Sequence, residues 1–165
     1  SSKLESVIEF GANVGLNLIA VKDLIPGVAV TAVEINSSAI SKLKMIDDVK
    51  VIHGSILESN KIEMYDLAMV IGVLIHIAPE YLPLAYENIY RATRRYILIG
   101  EYYSRQPEEV SYRGYKNKLF KRDFAGEMLD KYTDLRLVDY GFFYHKDESS
   151  NLDDITWFLM EKADI

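Results

Sequence analysis

The sequence contains no cysteine, and that absence excludes several kinds of site at once. Without thiols there is no disulfide framework, no thiolate metal centre and no cysteine nucleophile. An excess of basic residues is missing as well, because 19 Lys and Arg stand against 25 Asp and Glu and the net charge is −6. Proteins that bind nucleic acid or anionic membranes in general carry a basic surface, so we expect neither partner here.

Long apolar runs and targeting signals are also missing. No run reaches the roughly 18 residues that a membrane span needs, and no basic stretch followed by an apolar one begins the chain. No repeat, linker or low-complexity segment divides the 165 residues, of which 49% are hydrophobic. We therefore expect one globular domain, residues 1–165, in a soluble cytoplasmic protein that acts on a small molecule. The sequence leaves the oligomeric state open.

Residues 6–18, SVIEFGANVGLNL, change their pattern within a short stretch. An apolar run that ends at Glu9 predicts a strand, and Gly11 and Gly15 bracket a turn whose N–H groups can face a ligand without interference from Cβ atoms. The helical period that follows predicts one apolar face, formed by Leu16, Ile19, Ala20 and Leu24. Strand, glycine turn and helix make up the first half of a βαβ unit, where many nucleotide cofactors bind.

The spacing of this turn narrows the choice of cofactor. A dinucleotide fingerprint has the pattern G-x-G-x-x-G, whereas this chain has E-x-G-x-x-x-G, with Asn13 where the second glycine often lies. A pyrophosphate is therefore disfavoured. The carboxylate of Glu9 suits a cofactor with a cationic or amino group, such as S-adenosylmethionine, on Coulomb grounds. The alternative is a strand-to-helix turn that contains two glycines and binds no cofactor.

A second acidic residue ends the next predicted strand. Residues 28–33 form a β-branched apolar run typical of a parallel strand buried on both faces, and Glu34 follows it. Glu34 lies 19 positions past Gly15, close to where nucleotide-binding folds have the carboxylate that accepts the ribose hydroxyl hydrogens. The alternative is a solvated strand end.

The elements that follow predict an α/β fold with a mostly parallel, doubly wound sheet. Ser37 is the predicted N-cap of the second helix. The later predicted strands are residues 49–53, 66–71 and 96–99. Gly54, Ser55 and Ile56 form a loop at the carboxyl end of the first of these, where open α/β sheets bind ligands. Pro79 begins the next predicted helix.

The last third of the chain departs from this alternation. Residues 102–118 have no clean period and are predicted to be a long loop over the carboxyl edge of the sheet. Residues 120–132 are predicted to form a helix that buries Phe124, Met128 and Leu129. Two strands, residues 135–144 and 154–161, are joined by a short polar turn. Since a parallel pair needs a longer crossover, we expect an antiparallel C-terminal hairpin.

These motifs carry a resemblance to a known class. In chain order, IEFGANVGLNL, VEIN, GSILES and GVLIHI resemble the motif set of class I S-adenosylmethionine-dependent methyltransferases, and the predicted hairpin is similar to theirs. More narrowly, EYYSRQPEEVSYRG, LFKRDF and DDITWF resemble the methylase family associated with pseudaminic acid biosynthesis. The resemblance implies a Rossmann-like sheet of seven strands. Members of that family carry an additional segment ahead of the first strand, so we expect an N-terminal segment to be missing here.

The resemblance also implies which residues bind S-adenosylmethionine and its product S-adenosylhomocysteine. Glu9 would lie near the ammonium group, Glu34 would bind both ribose hydroxyls, and Gly72 would lie beneath the sulfonium. Ile35 would pack on the adenine, and Ser55 stands where many members of the class have Asp. The complete implied set is Glu9, Gly11, Ala12, Asn13, Gly15, Asn17, Glu34, Ile35, Asn36, Gly54, Ser55, Ile56, Gly72 and Val73.

Methyl transfer from a sulfonium requires mainly that the acceptor atom be held about 3–3.5 Å from the methyl carbon. A hydroxyl acceptor also needs a base, and His76 is the candidate, because imidazole titrates near neutral pH. The alternative is a packing histidine in an apolar stretch. Glu101 and Tyr102, just past the fifth strand, would face the crevice and orient the acceptor. No set of His and carboxylate residues has the spacing of metal ligands, so we expect no metal.

Aromatic and basic residues gather after the fifth strand of a chain that is acidic overall. Tyr103 and Tyr112 offer flat faces to a sugar ring. Arg113 and Arg122 suit a carboxylate or phosphate, because guanidinium groups bind these in bidentate fashion. The pattern predicts an anionic acceptor, such as an acidic or nucleotide-linked sugar of surface glycan biosynthesis. The alternative is a solvated loop whose tyrosines cover the core.

Three functional classes remain open at this point. A small-molecule methyltransferase is preferred, because of the order of the motifs and the terminal hairpin. An NAD-dependent oxidoreductase is disfavoured by the glycine spacing. The third class is a non-catalytic or truncated domain that binds S-adenosylmethionine without transferring its methyl group.

Overall fold

The structure is a computed structural model that describes residues 3–58, 63–112, 115–149 and 153–163, except for the side chains of residues 111, 112 and 115–118. The first half of the described chain contains β1 (Ser6–Phe10), α1 (Leu16–Leu24), β2 (Ala29–Glu34), α2 (Ser37–Leu43), β3 (Val49–His53) and β4 (Tyr65–Ile71). Two short 3-10 helices follow, Leu74–His76 and Pro79–Tyr81. The second half contains α3 (Leu82–Arg91), β5 (Thr93–Glu101), β6 (Glu108–Tyr112), β7 (Tyr115–Lys121), α4 (Phe124–Lys131), β8 (Leu135–Phe143) and β9 (Ile155–Lys162).

Seven of these strands form one sheet in the order β3-β2-β1-β4-β5-β9-β8. The strands β1 to β5 pair in parallel, whereas β9 pairs antiparallel with both β5 and β8. The expected α/β class, the mostly parallel seven-stranded sheet and the antiparallel C-terminal hairpin are thereby confirmed. Strands β6 and β7 form a separate two-stranded sheet between β5 and α4.

The order of the strands reverses between β1 and β4, and open α/β sheets bind ligands at such a switch point. These two neighbouring strands are in parallel register, with Phe10 at the end of β1 opposite Val70 near the end of β4. The turns that begin at Gly11 and Gly72 therefore leave the sheet side by side. The topology brings the first glycine turn against the loop that follows β4.

The two faces of the sheet are covered unequally. On one face, α3 and α4 bury a core whose side chains include Ile8, Phe10, Val70, Leu82, Ile97, Ile99, Phe124, Met128 and Met160. On the other face, α1 and α2 cover the first three strands through Val7, Leu18, Val30 and Leu43. Beyond α1 this second face continues over β4, β5 and β9. There Ile71, Leu98 and Trp157 border an open apolar cavity of about 460 Å³.

Helix α1 packs through a different face from the one that its period predicts, and that prediction is wrong. Leu18 is buried and Val21 packs in the same cluster, whereas Leu16 and Leu24 are 70% and 80% exposed. Gly15 is the N-cap of this helix in a left-handed conformation, and the direction in which it starts the helix decides which side chains face the sheet. Because the helix is apolar on two sides, the period alone could not choose between them.

Two helices begin at other residues than predicted. The N-cap of α2 is Asn36 rather than Ser37, because the Asn36 side chain accepts hydrogen bonds from the N–H groups of Ser38 and Ala39. Helix α4 begins at Phe124, with the Asp123 carboxylate accepting from the Gly126 N–H over 2.8 Å. Both capping residues have the short polar side chains that satisfy free N–H groups at a helix start.

The sequence predicts a long loop at residues 102–118, and the structure instead has the β6–β7 hairpin there. Val110 pairs with Leu119 and Glu109 with Phe120, so residue 120 belongs to a strand and not to the following helix. Leu119 and Phe120 are buried, and β7 packs against the 3-10 helix Leu74–His76. The hairpin is thus held by contacts with a distant part of the chain, which the local pattern of charged and apolar residues does not reveal.

Candidate functional site

The first glycine turn is built from residues in left-handed conformations. Gly11, Asn13 and Gly15 have φ angles of 70°, 49° and 85°. The Gly11 N–H donates to the Val33 carbonyl oxygen over 2.8 Å, which ties the turn to the end of β2. A Cβ atom at Gly11 would overlap Cγ2 of Val73 in the loop after β4. Both the conformation and the available space therefore require glycine at this position.

The carboxylate of Glu34 holds this turn and the end of β2 together. Its Oε2 accepts from the Asn13 N–H, and its Oε1 accepts from the N–H groups of Ile35 and Asn36, each over 2.8 Å. A carboxylate has about four acceptor positions, so three are filled and one on Oε2 remains. The Glu34 carboxylate therefore has room for one further donor, whereas the resemblance implies contacts with both ribose hydroxyls.

The carboxylate of Glu9 is only 1% exposed and is incompletely paired. Its Oε1 accepts from Nδ2 of Asn17, in the first turn of α1, over 2.7 Å. Its Oε2 is buried and has no hydrogen-bond partner among the residues that the structure describes. Burial raises the pKa of Glu9 to about 7, the nearby charge of Glu34 acts in the same direction, and the hydrogen bond from Asn17 acts against them. A buried carboxylate oxygen without a donor is uncommon, and a donor group of a ligand is one partner that would satisfy it.

A third buried carboxylate, that of Glu101, lies at the end of β5. The sequence predicts that Glu101 faces the crevice, but the side chain is 3% exposed and lies beneath the loop after β4. Its Oε1 accepts from the N–H groups of Val73 and Leu74, each over 2.9 Å, and its Oε2 lies 3.4 Å from the Ile75 nitrogen. Burial raises the pKa of Glu101 to about 8, against the effect of these hydrogen bonds. This geometry does not favour contact between the Glu101 carboxylate and an acceptor.

A cavity of about 410 Å³ lies between these turns, at the carboxyl edge of the sheet. Its volume falls in the range of small-molecule pockets, roughly 300–1,000 Å³. Eight residues singled out in the sequence border it, namely Gly11, Glu34, Ile35, Gly54, Ser55, Ile56, Val73 and His76. The structure therefore brings four separate motifs of the sequence to one pocket, in which the Glu34 carboxylate is set among mostly apolar side chains.

The other residues of the implied cofactor set support the pocket from outside. Asn13 and Asn36 donate to Glu34 through their backbones, and the Asn17 side chain holds Glu9. Gly15 allows close packing between the turn and Ile46, because a Cβ atom at this position would lie 2.6 Å from Cδ1 of Ile46. Of the three remaining members, Ala12 is buried in the core on the α1 face, Glu9 is buried at the end of β1, and Gly72 has a φ angle of 67° with open space where a Cβ would be.

Sequence reasoning missed some of the residues that border the cavity. They are Val33, Leu57, Ile77, Ala78 and Tyr81. Ala78 precedes Pro79, which begins the short 3-10 helix before α3, and Tyr81 ends that helix. A proline that begins a helix at the carboxyl end of a parallel strand was a usable signal, because ligands bind along that edge.

His76 ends the 3-10 helix Leu74–His76 and is exposed at the border of the cavity. Ser55 is used locally: its Oγ accepts from the Leu57 N–H and its own N–H donates to the Glu58 carboxylate, each over 3.1 Å. The Glu58 carboxylate thus lies beside the loop in which many methyltransferases have Asp.

In the region predicted to bind the acceptor, two tyrosines follow Glu101 in the chain. The Tyr102 hydroxyl donates to the Asp153 carboxylate, and the Lys121 ammonium lies 5.3 Å from the centre of the Tyr102 ring. Tyr103 is partly exposed, and its ring centre lies 6.0 Å from that of Phe158. Both rings are thus fixed by contacts with the C-terminal hairpin and β7.

Arg122 is paired within the protein. Its Nε donates to Oε1 of Glu127 over 2.7 Å, and the Tyr86 hydroxyl donates to Oε2 of the same carboxylate over 2.7 Å. This arrangement differs from the expectation of an arginine displayed to an anionic acceptor. Of the other predicted acceptor residues, Arg113 lies outside the described residues, and Tyr112 ends β6 with its side chain outside them.

Within the described ranges, no cluster of three or more His, Asp or Glu side chains could hold a metal ion. No helix in the part of the chain that the structure describes is long and apolar enough to cross a membrane. His53 and His145, the two other histidines, contact the Ile35 carbonyl oxygen and the Asp154 carboxylate.

Comparisons with known proteins identify the fold. No protein-family model and no curated protein sequence matches the chain. Among solved structures it is similar to Burkholderia thailandensis 1,6-didemethyltoxoflavin-N1-methyltransferase with bound 1,6-didemethyltoxoflavin and S-adenosylhomocysteine. That match has a TM-score of 0.76 and 17% identity, and it covers 98% of this chain and 72% of the other.

Two further solved structures agree with this match. Magnesium protoporphyrin IX methyltransferase from Synechocystis PCC 6803, with bound S-adenosylmethionine, has a TM-score of 0.71 and 12% identity, with 98% of this chain and 71% of that chain covered. The N-methyltransferase NodS from Bradyrhizobium japonicum WM9 has a TM-score of 0.71 and 15% identity, with 98% and 88% covered. At such identities the likeness establishes the fold alone, and the fold is that of class I methyltransferases.

Proposed function

We propose that this protein is an S-adenosylmethionine-dependent methyltransferase that acts on a small molecule. The observation that carries the proposal is the pair of buried carboxylates at the ends of β1 and β2. Glu34 borders a pocket of nucleoside size, and Glu9 keeps a buried oxygen without a donor among the described residues. Solved structures with the same fold hold S-adenosylmethionine or S-adenosylhomocysteine, which supports the choice of cofactor.

The residues present fit this cofactor. Oε2 of Glu9 would accept from the ammonium group, and the remaining acceptor position on Glu34 would take a ribose hydroxyl. Ile35 and Ile56 would flank the adenine, with Gly54 and Ser55 at its edge. When bound, the cofactor supplies an activated methyl group on a cationic sulfur atom.

The protein's part in the reaction is to orient an acceptor and to move its proton. His76 is exposed at the border of the pocket, where its imidazole would accept the proton of a hydroxyl acceptor. The 3-10 helix that ends at His76 fixes the distance between this base and the pocket. Tyr103 and the β6–β7 hairpin flank the side from which an acceptor would approach.

For the acceptor we propose a small anionic molecule, such as an acidic or nucleotide-linked sugar of surface glycan biosynthesis, methylated in the cytoplasm. The narrower resemblance to the methylase family associated with pseudaminic acid biosynthesis supports this class. The basic residues between β5 and α4 support it as well, although Arg122 is engaged by Glu127. An anionic acceptor that reaches Arg122 would have to share it with that carboxylate.

Two measurements test the proposal. Calorimetric titration with S-adenosylhomocysteine and with NADH should give binding of the first and none of the second, and the reverse result would favour an oxidoreductase. Mass spectrometry of acidic and nucleotide-linked sugars, incubated with the protein and a methyl-labelled cofactor, should then find one product heavier by a labelled methyl group. Labelling of no sugar in the panel would contradict the proposed acceptor class.

A second candidate is a domain that binds S-adenosylmethionine without transferring its methyl group. The observation that favours it is that Glu101 and Arg122, both expected to meet an acceptor, are engaged within the protein, by backbone N–H groups and by the Glu127 carboxylate respectively. Binding of S-adenosylhomocysteine, combined with no transfer to any acceptor and no slow hydrolysis of the cofactor, would favour this candidate.

A further inference from the structure

The 3-10 helix Leu74–His76 has N–H groups at its start that its own residues do not cap. Its N-cap residue is Val73, which has no polar side chain to offer. The first N–H groups of any helix lack partners within the helix and need an acceptor from elsewhere. A partner from a distant part of the chain is therefore required to hold this turn in place.

Glu101 is that partner. Its two oxygens meet the three successive N–H groups of Val73, Leu74 and Ile75, at 2.9, 2.9 and 3.4 Å. The residue lies at the end of β5, next to the strand from which the turn leaves, and a second link joins the same segments, since the Gly72 N–H donates to the Gly100 carbonyl oxygen over 2.9 Å. Glu101 is almost completely buried, so water is a poor substitute acceptor at this position.

The turn that Glu101 holds carries two residues of the pocket. Val73 borders the cavity and lies so close to Gly11 that a Cβ there would overlap it. His76 follows in the same turn, and its N–H donates to the Val73 carbonyl oxygen over 3.0 Å. A shift of Val73 would therefore change the shape of the pocket and the direction of His76 together.

We infer that Glu101 is a positioning residue of the proposed site, which acts through the turn of Val73 to His76 and not by touching cofactor or acceptor. This inference rests on the proposed function. It assigns to the end of β5 the role of setting the geometry between the cofactor pocket and the candidate base. Because Tyr102 and Tyr103 follow directly, the same strand end supports the acceptor side as well.

The test compares three variants of the full chain. Glu101→Leu removes every acceptor, whereas Glu101→Gln keeps one oxygen that can still accept from Val73 and Leu74 but turns an N–H₂ group towards Ile75. The matched control is Asp66→Asn, because the Asp66 carboxylate also accepts from two backbone N–H groups, those of Glu5 and Ser6, at the opposite edge of the sheet. Two quantities are measured well below the unfolding temperature: amide hydrogen exchange at residues 73–75, and the affinity for S-adenosylhomocysteine.

We expect exchange at residues 73–75 to become at least about tenfold faster in Glu101→Leu, with an intermediate value in Glu101→Gln. Affinity should fall in the same order, about tenfold for Glu101→Leu, because only the fraction of molecules with a formed turn can bind. Asp66→Asn should leave both quantities unchanged. If Glu101→Leu does not fold, the comparison of Glu101→Gln with Asp66→Asn decides.

Two results would overturn the inference. One is unchanged exchange at residues 73–75 and unchanged affinity in both Glu101 variants, and the other is an equal loss in Asp66→Asn, which would indicate general destabilisation. If the unmodified protein binds no S-adenosylhomocysteine, the proposed function fails, and the exchange measurement alone then decides whether Glu101 holds the turn.

Discussion

The proposed cofactor half of the crevice, around Gly11 and Glu34, and its proposed acceptor half, around Tyr102 and Arg122, are held together by different means. In the cofactor half, the Glu34 carboxylate accepts from three backbone N–H groups, two of which belong to the next two residues in the chain. In the acceptor half, side chain meets side chain across long separations, as for Tyr102 with Asp153, 51 residues away, and Tyr86 with Glu127, 41 residues away. The first half is encoded in short stretches, and the second depends on the finished fold.

Because of this difference, the two halves should respond differently to substitution. Backbone turns with positive φ and close contacts allow few side chains, so the cofactor half should respond steeply to substitution. Pairs of exposed or half-buried polar side chains contribute less individually and can be replaced. Substitutions in the two halves should therefore differ in what they change: cofactor affinity in one, stability and acceptor recognition in the other.

Gly11→Ala should have the largest effect. The added Cβ would overlap Cγ2 of Val73, and the left-handed φ of 70° costs an L-residue about 1–2 kcal/mol. If Val73 turned aside, it would enter the pocket that it borders. We expect the affinity for S-adenosylhomocysteine, measured by calorimetry, to fall about a hundredfold, which corresponds to about 2.7 kcal/mol.

Gly27→Ala is the matched control for this substitution. Gly27 also has a positive φ, of 84°, but nothing lies within 4 Å of the position of its Cβ. We expect the free energy of unfolding to fall by about 1 kcal/mol and the affinity to stay the same. An equal loss of affinity in both variants would mean that backbone strain, and not the contact with Val73, is responsible.

Glu9→Gln and Glu34→Gln separate the two ends of the proposed cofactor site. Glu9 should matter only to a ligand with an ammonium group, because its Oε2, which has no partner in the described part of the chain, is the proposed acceptor for that group. We expect Glu9→Gln to weaken S-adenosylhomocysteine about tenfold and to leave 5′-deoxy-5′-methylthioadenosine, which lacks the amino acid, unaffected. Glu34→Gln should weaken both ligands, by about tenfold or more.

Calorimetry with both ligands and both variants gives four affinities. The Asn17 side chain keeps an oxygen partner in Glu9→Gln, which limits the structural damage of this change. If Glu9→Gln weakened both ligands equally, Glu9 would be a structural carboxylate and the ammonium contact would lie elsewhere.

The same division separates the part of the site that the sequence predicts from the part that it does not predict. The turn at Gly11, the carboxylate of Glu34, the loop at Gly54 and the position of His76 were all readable from local spacing, and the structure brings them to one pocket. The mostly parallel sheet and the antiparallel hairpin follow from general rules applied to the run of predicted elements, whereas the number of seven strands was implied by the resemblance. Their roles in binding and catalysis stay predictions.

The parts that the sequence did not reveal depend on contacts between distant residues. The β6–β7 hairpin is held by packing on the turn after β4, and the role of Glu101 depends on N–H groups 26 to 28 positions earlier in the chain. Helix α1 has apolar residues on two sides, so only its start at Gly15 decides which side is buried. Periodicity and local spacing carry none of this information.

The pH dependence of cofactor binding offers a further comparison. Burial raises the pKa of Glu9 to about 7, so the free protein holds a proton there at lower pH. A bound ammonium favours the ionised carboxylate, and binding should therefore release that proton. Affinity for S-adenosylhomocysteine should rise with pH up to about 7, by at most about tenfold per unit, and then level off. Calorimetry in two buffers of different ionisation enthalpy counts the protons, and Glu9→Gln should abolish the slope.

The same two buried carboxylates predict how stability changes with pH. The pKa values of Glu9 and Glu101, about 7 and 8 in the folded protein, lie above the usual value of 4.5, so the folded state binds protons more tightly than the unfolded state. Their contribution to stability is present below about pH 4.5 and is lost as the pH rises through 7 and 8. Urea unfolding between pH 5 and 9 should show this decline. A decline of the same size in a Glu9→Gln, Glu101→Gln double variant would assign it to other groups.

The smallest effect on cofactor affinity is expected in the acceptor half, from Arg122→Ala. This change leaves the half-buried Glu127 carboxylate with the Tyr86 hydroxyl as its remaining partner in that network, and we expect the free energy of unfolding to fall by about 1–2 kcal/mol. Arg91→Ala, which breaks an exposed pair with Glu87, should cost at most about 0.5 kcal/mol. Neither variant should change the affinity for S-adenosylhomocysteine, whereas the KM of an anionic acceptor that contacts Arg122 should rise in the first variant alone. If Arg122→Ala weakened the cofactor as much as Glu34→Gln does, the two halves would be energetically coupled and the division between them would be wrong.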